Sequence, residues 1–223
     1  MIDNILFFGR KNCEFTLKLK KFLSNKTKKL DCIISDGKEK FVIKKKKYSY
    51  IICFRSKYIL KKNFLKKAII APINFHPSTP NYRGPGGVNY AIYSNEKYFG
   101  STCHLMNEKI DNGKILNFKK FKILKNDTVD SLLEKTYENM YRQAISTLNF
   151  IFKDRNNINI LIKKNRYTRW SKKLYKYRDL NNFYKINIHS SKTKLIRKIR
   201  ATNTKLYKPF ISIFDKKFYY LDG

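Results

Sequence analysis

The sequence predicts an α/β protein: a mostly parallel sheet flanked by helices, then a short tail with a helix and a β-hairpin. Short apolar runs alternate with segments of helical spacing through the first 150 residues, the pattern of strands joined by right-handed helical crossovers. Hydrophobic residues make up 42% of the 223 and aromatics 15%, ample for a core and incompatible with wholesale disorder. After residue 153 the texture turns polar and weakly periodic. The chain therefore reads as one domain over 1–153 with a tail, 154–223, packed on it.

Residues 3–8 form a buried strand that leaves by a turn at Gly9. Phe15, Leu19, Phe22 and Leu23 then fall at helical spacing, with Asn12 placed to cap the helix. Residues 30–34 read as a second strand and 48–54 as a third. Ser56 is the expected cap of a helix carrying Ile59, Leu60, Phe64, Leu65 and Ala68, and residues 69–75 are a fourth strand. Residues 76–87 hold Pro77, Pro80, Pro85 and three glycines, a long loop of the kind that carries function. One or two helical turns at 88–93 precede strands at 98–106 and 114–124. Asp127 or Thr128 caps the longest helix, which runs to about Phe152. In the tail, 190–199 reads as a helix and 210–220 as two short strands about Asp215.

Charge and cysteines narrow the classes. Lys and Arg number 50 against 16 Asp and Glu, a formal charge of +34. Basic runs at 18–21, 26–29, 44–47, 61–67, 119–125 and 172–176 spread over the chain, which is also rich in Asn, Ile, Tyr and Phe. That spread reads first as the drift of an AT-rich genome and second as a selected polyanion-binding surface. Either way the field favours an anionic substrate. No run approaches the roughly 20 apolar residues of a bilayer span. The N-terminus lacks a basic region before its apolar run, so no signal peptide is expected and the cytoplasm is the default location. Cys13, Cys32, Cys53 and Cys103 form no Cys-x-x-Cys pair and read as buried thiols. No metal site is expected.

The informative stretch lies between residues 74 and 113. Asn74 and His76, two apart at a strand end, project from one side of the sheet. Asp111 follows His76 by 35 residues after a return strand, so it can come back beside the same edge. An amide, an imidazole and a carboxylate together suit acyl transfer to an amine. The imidazole shuttles a proton, the carboxylate steadies its charge, and the amide holds the oxyanion. Arg83 either braces its loop or grips a diphosphate. His104 reads as a packed histidine or a pocket-lining group, and Arg10 as a plain turn residue that can face the substrate. Trp170 and Tyr175 are packing residues or stack on a nucleobase.

These residues carry a resemblance. Asn74-x-His76, the loop 77–84 ending in Arg83-Gly84, Gly100-x-Thr102-x-His104 and Asp111-x-Gly113 fall in the order found in formyltransferases that use 10-formyltetrahydrofolate. The resemblance implies a Rossmann-like domain over 1–150 and makes Asn74, His76 and Asp111 the catalytic trio. It places folate contacts around Phe54, Ile59, Ile110 and Asn112, and acceptor contacts around Arg83, Gly84, Arg10 and His104. The loop is one residue shorter than the family's Ser-Leu-Leu-Pro form, and Gly86-Gly87-Val88-Asn89 replaces an apolar continuation. With a compact tail and no room for the C-terminal barrel of the tRNA-acting members, the layout is most similar to enzymes that formylate nucleotide-linked amino sugars. A methionyl-tRNA acceptor and a non-catalytic polyanion-binding protein on this scaffold are the alternatives. In the sugar enzymes the tail often serves dimer contacts, so a homodimer is an expectation here.

Overall fold

The computed structural model describes residues 1–43 and 47–221. Residues 44–46, most of one expected basic run, lie outside them. A six-stranded sheet has the order β2-β1-β3-β4-β5-β6, built from β1 (Ile2–Arg10), β2 (Thr27–Ser35), β3 (Tyr48–Phe54), β4 (Ala68–His76), β5 (Tyr98–Leu105) and β6 (Ile115–Lys122). The first four strands pair in parallel, whereas β4–β5 and β5–β6 are antiparallel.

Alternating residues of the parallel strands are buried on both faces. On one face Ile5, Phe7, Ile52 and Ile73 pack with Leu19 and Leu23 of α1 (Glu14–Ser24) and with Met140, Leu148 and Ile151 of α4 (Val129–Lys153). On the other, Leu6, Phe8, Ile51 and Cys53 pack with Leu60 and Leu65. A sheet covered on both faces accounts for near-continuous apolar strands. The long helix starts at a capping box: the Thr128 hydroxyl accepts the Ser131 amide at 3.1 Å, and Ser131 accepts the Thr128 amide at 3.0 Å.

Three local expectations fail. Asn12 does not cap α1: Cys13 holds that position, and Asn12 turns the chain with φ 52°. Ser56 caps no helix. Its hydroxyl accepts the Tyr58 amide at 3.1 Å in a local turn, and the only regular helix there, α2, is Lys62–Leu65. Ala68 belongs to β4, paired with Tyr48, because the strand needs it to continue the ladder.

The tail holds three helices rather than one: α5 (Asn157–Lys164), α6 (Tyr177–Phe183) and α7 (Lys192–Thr202), followed by the hairpin β7 (Phe210–Ile213) and β8 (Lys216–Tyr219). It docks on α3 (Gly87–Tyr93) through aromatic contacts. Tyr175 stacks on Tyr90 at 4.0 Å, Phe183 meets Tyr90 edge to face at 4.8 Å, and the Asn89 amide donates to the Ala201 carbonyl at 2.8 Å. No residue of α6 is fully buried; only Leu180 and Phe183 pack, half-buried, against the cluster around α3, a stripe too short to be read from sequence. Leu148→Ala, which removes a fully buried side chain between α4 and the sheet, is expected to cost about 2–5 kcal/mol in chemical denaturation at unchanged fold.

Candidate active site

Chain geometry at the end of β4 brings the trio together. The antiparallel register of β4 and β5 sets Asn74 opposite His104 and His76 opposite Thr102. Asp111 lies in the turn between β5 and β6 with φ 43°. The turn closes because Gly113 runs hard against the Leu105 carbonyl, where a Cβ would sit 1.7 Å from that oxygen. Gly84, with φ 81°, presses likewise on the Tyr175 carbonyl and so turns its amide to the site.

Asp111, His76 and His104 are all buried, at 9%, 7% and 2% exposure, so their mutual distances set the electrostatics. Asp111 Oδ2 accepts the Gly84 amide at 2.9 Å and lies 3.3 Å from His76 Nδ1. Its Oδ1 lies 3.5 Å from His104 Nε2. Burial opposes the charge of Asp111, yet the His76 imidazole and the Gly84 amide outweigh it and hold the carboxyl well below the usual carboxylate range. His76 Nε2 donates to the Tyr82 carbonyl at 2.9 Å. Both ring nitrogens of His76 thus face acceptors, and the ring can gain a proton without losing a hydrogen bond. The Asn74 amide donates to His104 Nε2 at 3.1 Å, while His104 Nδ1 donates to the Leu105 carbonyl at 2.8 Å.

These groups form the floor of a cleft of about 440 Å³, within the usual size of a small-molecule site. Asn74, His76, Asp111, Gly84, His104, Arg10, Ile59 and Ile110 all line it. Ile59 does so from an irregular segment, 70% exposed. Three expected contacts lie elsewhere. The Phe54 side chain is fully buried against Phe75, which leaves only its main chain at the end of β3 toward the cleft. Asn112 accepts from Asn107 and faces an adjoining hollow, which shares Met106 and Glu108 with the cleft. Arg83 is buried, and its guanidinium donates to the carbonyls of Asp111 (2.7 Å), Ile110 (2.9 Å) and Ser171 (3.2 Å). It braces the Asp111 turn and does not line the cleft.

Residues that sequence reasoning missed complete the wall. Arg55, at φ 56° just past β3, lies 3.4 Å over the Tyr137 ring and donates to Cys13 Sγ at 2.9 Å. Its place after a strand end was the available signal. Tyr137 reads in sequence as one more core residue of α4, and Tyr177 comes from the tail, which no local pattern connects to the cleft. Arg10, Arg55, Lys57 and Lys109 face Glu108 around the cleft wall, a net positive lining suited to an anionic ligand. Among the described residues no group of three or more His, Cys, Asp or Glu is disposed to hold a metal ion. Nor is any helix among them long and apolar enough to cross a membrane.

Comparison with known proteins identifies the family. The formyl transferase family matches residues 24–148, which contain the whole cluster. The bifunctional polymyxin resistance protein ArnA of Wigglesworthia glossinidia brevipalpis is 33% identical over 177 residues, 78% of this chain and 26% of that protein. Methionyl-tRNA formyltransferase of Clostridium tetani is 34% identical over 113 residues, 50% of this chain and 36% of that enzyme. The chain thus spans about a quarter to a third of the length of these curated relatives. An N-formyltransferase from Helicobacter canadensis, solved with folinic acid and dTDP-3-aminofucose, shares the fold at TM-score 0.65 and 23% identity, covering 97% of this chain and 86% of that one. With more than half its length matched and the cluster inside the match, the chain belongs to the formyl transferase family.

Proposed function

We propose that this protein transfers a formyl group from 10-formyltetrahydrofolate to the amino group of a nucleotide-linked amino sugar. The observation that carries the reading is the Asn74–His76–Asp111 cluster at the floor of a cationic cleft. The Helicobacter canadensis protein, solved with a folate and a nucleotide-linked amino sugar over a comparable chain length, supports the acceptor class.

When bound, the folate supplies the formyl carbon, and the acceptor amine attacks it. One hydrogen of the Asn74 amide goes to His104; the other is left for the formyl oxygen as negative charge grows there. The attacking amine gives up a proton and the departing folate nitrogen gains one. His76 moves that proton, with Asp111 compensating its positive form. Arg10 and Arg55 on the cleft wall suit the phosphates of the acceptor. Residues 1–153 form the catalytic unit in this reading, with the tail closing the cleft through Tyr177. The exposed hairpin residues Phe214, Phe218 and Tyr219 suit self-pairing into a dimer. The four free thiols fit a reducing cytoplasm.

A methionyl-tRNA acceptor is the second reading, favoured by the +34 charge and by the Clostridium tetani relative. Turnover of purified protein with dTDP-linked amino sugars against methionyl-tRNA separates the two, and formylation of the tRNA alone overturns the first. With the preferred acceptor, His76→Ala is expected to lower kcat by about 10²–10⁴-fold; unchanged turnover would remove His76 from the proton transfer, and a parent that formylates neither acceptor would point to a non-catalytic scaffold. A second expectation concerns pH. The folded carboxyl of Asp111 is depressed, so its stabilising effect is complete above the ordinary carboxyl value of about 3.9 and is lost as pH falls through the lowered one. The melting-temperature gap between the parent and Asp111→Asn should therefore be constant near neutrality and close below about pH 4. Thermal unfolding between pH 7 and pH 3 reads it directly, and a gap that does not shrink below pH 4 contradicts an ionised Asp111.

A further inference from the structure

Trp170 belongs to the tail, lines no part of the cleft, and yet packs against both histidines of the site. Its ring centroid lies 5.0 Å from His104, edge to face at 85°, and 5.9 Å from His76. Its indole N–H donates to the Gly113 carbonyl at 2.7 Å, two residues beyond Asp111. The next residue is tied on two sides: the Ser171 amide donates to the Pro80 carbonyl at 2.9 Å, and its carbonyl accepts from Arg83 at 3.2 Å. Trp170 is therefore held in place by the two loops that frame the cluster.

We propose that Trp170 is a positioning residue for formyl transfer, acting through His104 on Asn74; the proposal rests on the function proposed above. A carbonyl only accepts, so the bond to Leu105 places the proton of His104 on Nδ1. Nε2 then has a free lone pair, and this lone pair takes one N–H of the Asn74 amide. That contact settles which way the Asn74 amide points and leaves its second N–H aimed away from His104. A competing arrangement is at hand, because Asp111 Oδ1 stands 3.5 Å from the same Nε2. If the His104 ring turns or gains a proton there, it donates to Asp111 and Asn74 loses its anchor. The indole packed against the imidazole opposes that rotation, and its bond to Gly113 holds the Asp111 turn at its distance. The tail thereby sets the direction of the amide that meets the formyl oxygen without touching a ligand.

Trp170→Phe keeps an aromatic ring and removes the indole N–H. Two-bond proton–nitrogen NMR of histidine-labelled protein reads the His104 tautomer with no substrate present. The Nδ1–H form is expected in the parent and a mixture in Trp170→Phe; an identical His104 pattern in both overturns the proposal. With a formyl acceptor, kcat of the variant should fall about ten- to a hundredfold. KM for both substrates should stay within about twofold, and a parental kcat likewise overturns it. If the parent formylates no acceptor, the functional reading fails, and the tautomer measurement still decides the positioning role. Should Trp170→Phe not fold, His104→Gln and His104→Ala decide instead. Glutamine can accept from Asn74 and is expected to keep turnover that alanine loses, and equal loss in both refutes the role.

Discussion

A carboxylate removed from water must find its compensation inside the protein, and Asp111 imposes that requirement on everything around it. At 9% exposure it has no solvent shell to rely on, and an unpaired charge there would neutralise or unfold its surroundings. Its oxygens take the Gly84 amide and stand beside His76 and His104, while its own main-chain carbonyl takes the Arg83 guanidinium. The partners come from three segments, the end of β4, the long loop and β5. The charge therefore ties the end of β4, the long loop, β5 and the β5–β6 turn into one unit, and the left-handed residues Gly84 and Asp111 allow the backbone to reach it.

The tail is part of that unit. Ser171 supplies a carbonyl to Arg83, Trp170 donates to Gly113, and the Tyr175 carbonyl lies where a side chain on Gly84 would be. Farther out, Tyr175 stacks on Tyr90 and Phe183 meets Tyr90 edge to face, so the contacts at the site continue into those that dock the whole segment. Tail docking and site geometry are coupled in this way. A change that loosens residues 170–175 reaches the trio through hydrogen bonds to main-chain groups, not through a moving substrate-binding side chain.

Much of the domain was legible beforehand because its signals are local. Strand periods of two, helix periods near 3.6 and caps such as Thr128 act within a few residues of themselves. Asn74 and His76 share a face for the same reason, and the Gly113 turn marks where Asp111 returns. The misreadings have a common origin. Phe54 ends its strand pointing into the sheet's core, and its neighbour Arg55 takes the cleft, a choice of face made by the twist and packing of β3. The helix expected after Ser56 is a turn because the hydroxyl satisfies a nearby amide in place of helical bonds.

From the residues alone came the alternation of strands and helices, the composition of the trio, the basic character of the chain and the resemblance that links them. Only the folded chain decided what each polar group faces. Arg83 meets carbonyls 27, 28 and 88 residues away, and Trp170 one that is 57 residues away. A guanidinium or an indole carries no preference for a distant carbonyl over a ligand phosphate in its own sequence. That preference arises when packing strips water from the group and leaves one set of acceptors within 3 Å or so. Local rules can name the chemistry a side chain is able to perform; burial and register determine which partner it performs it on.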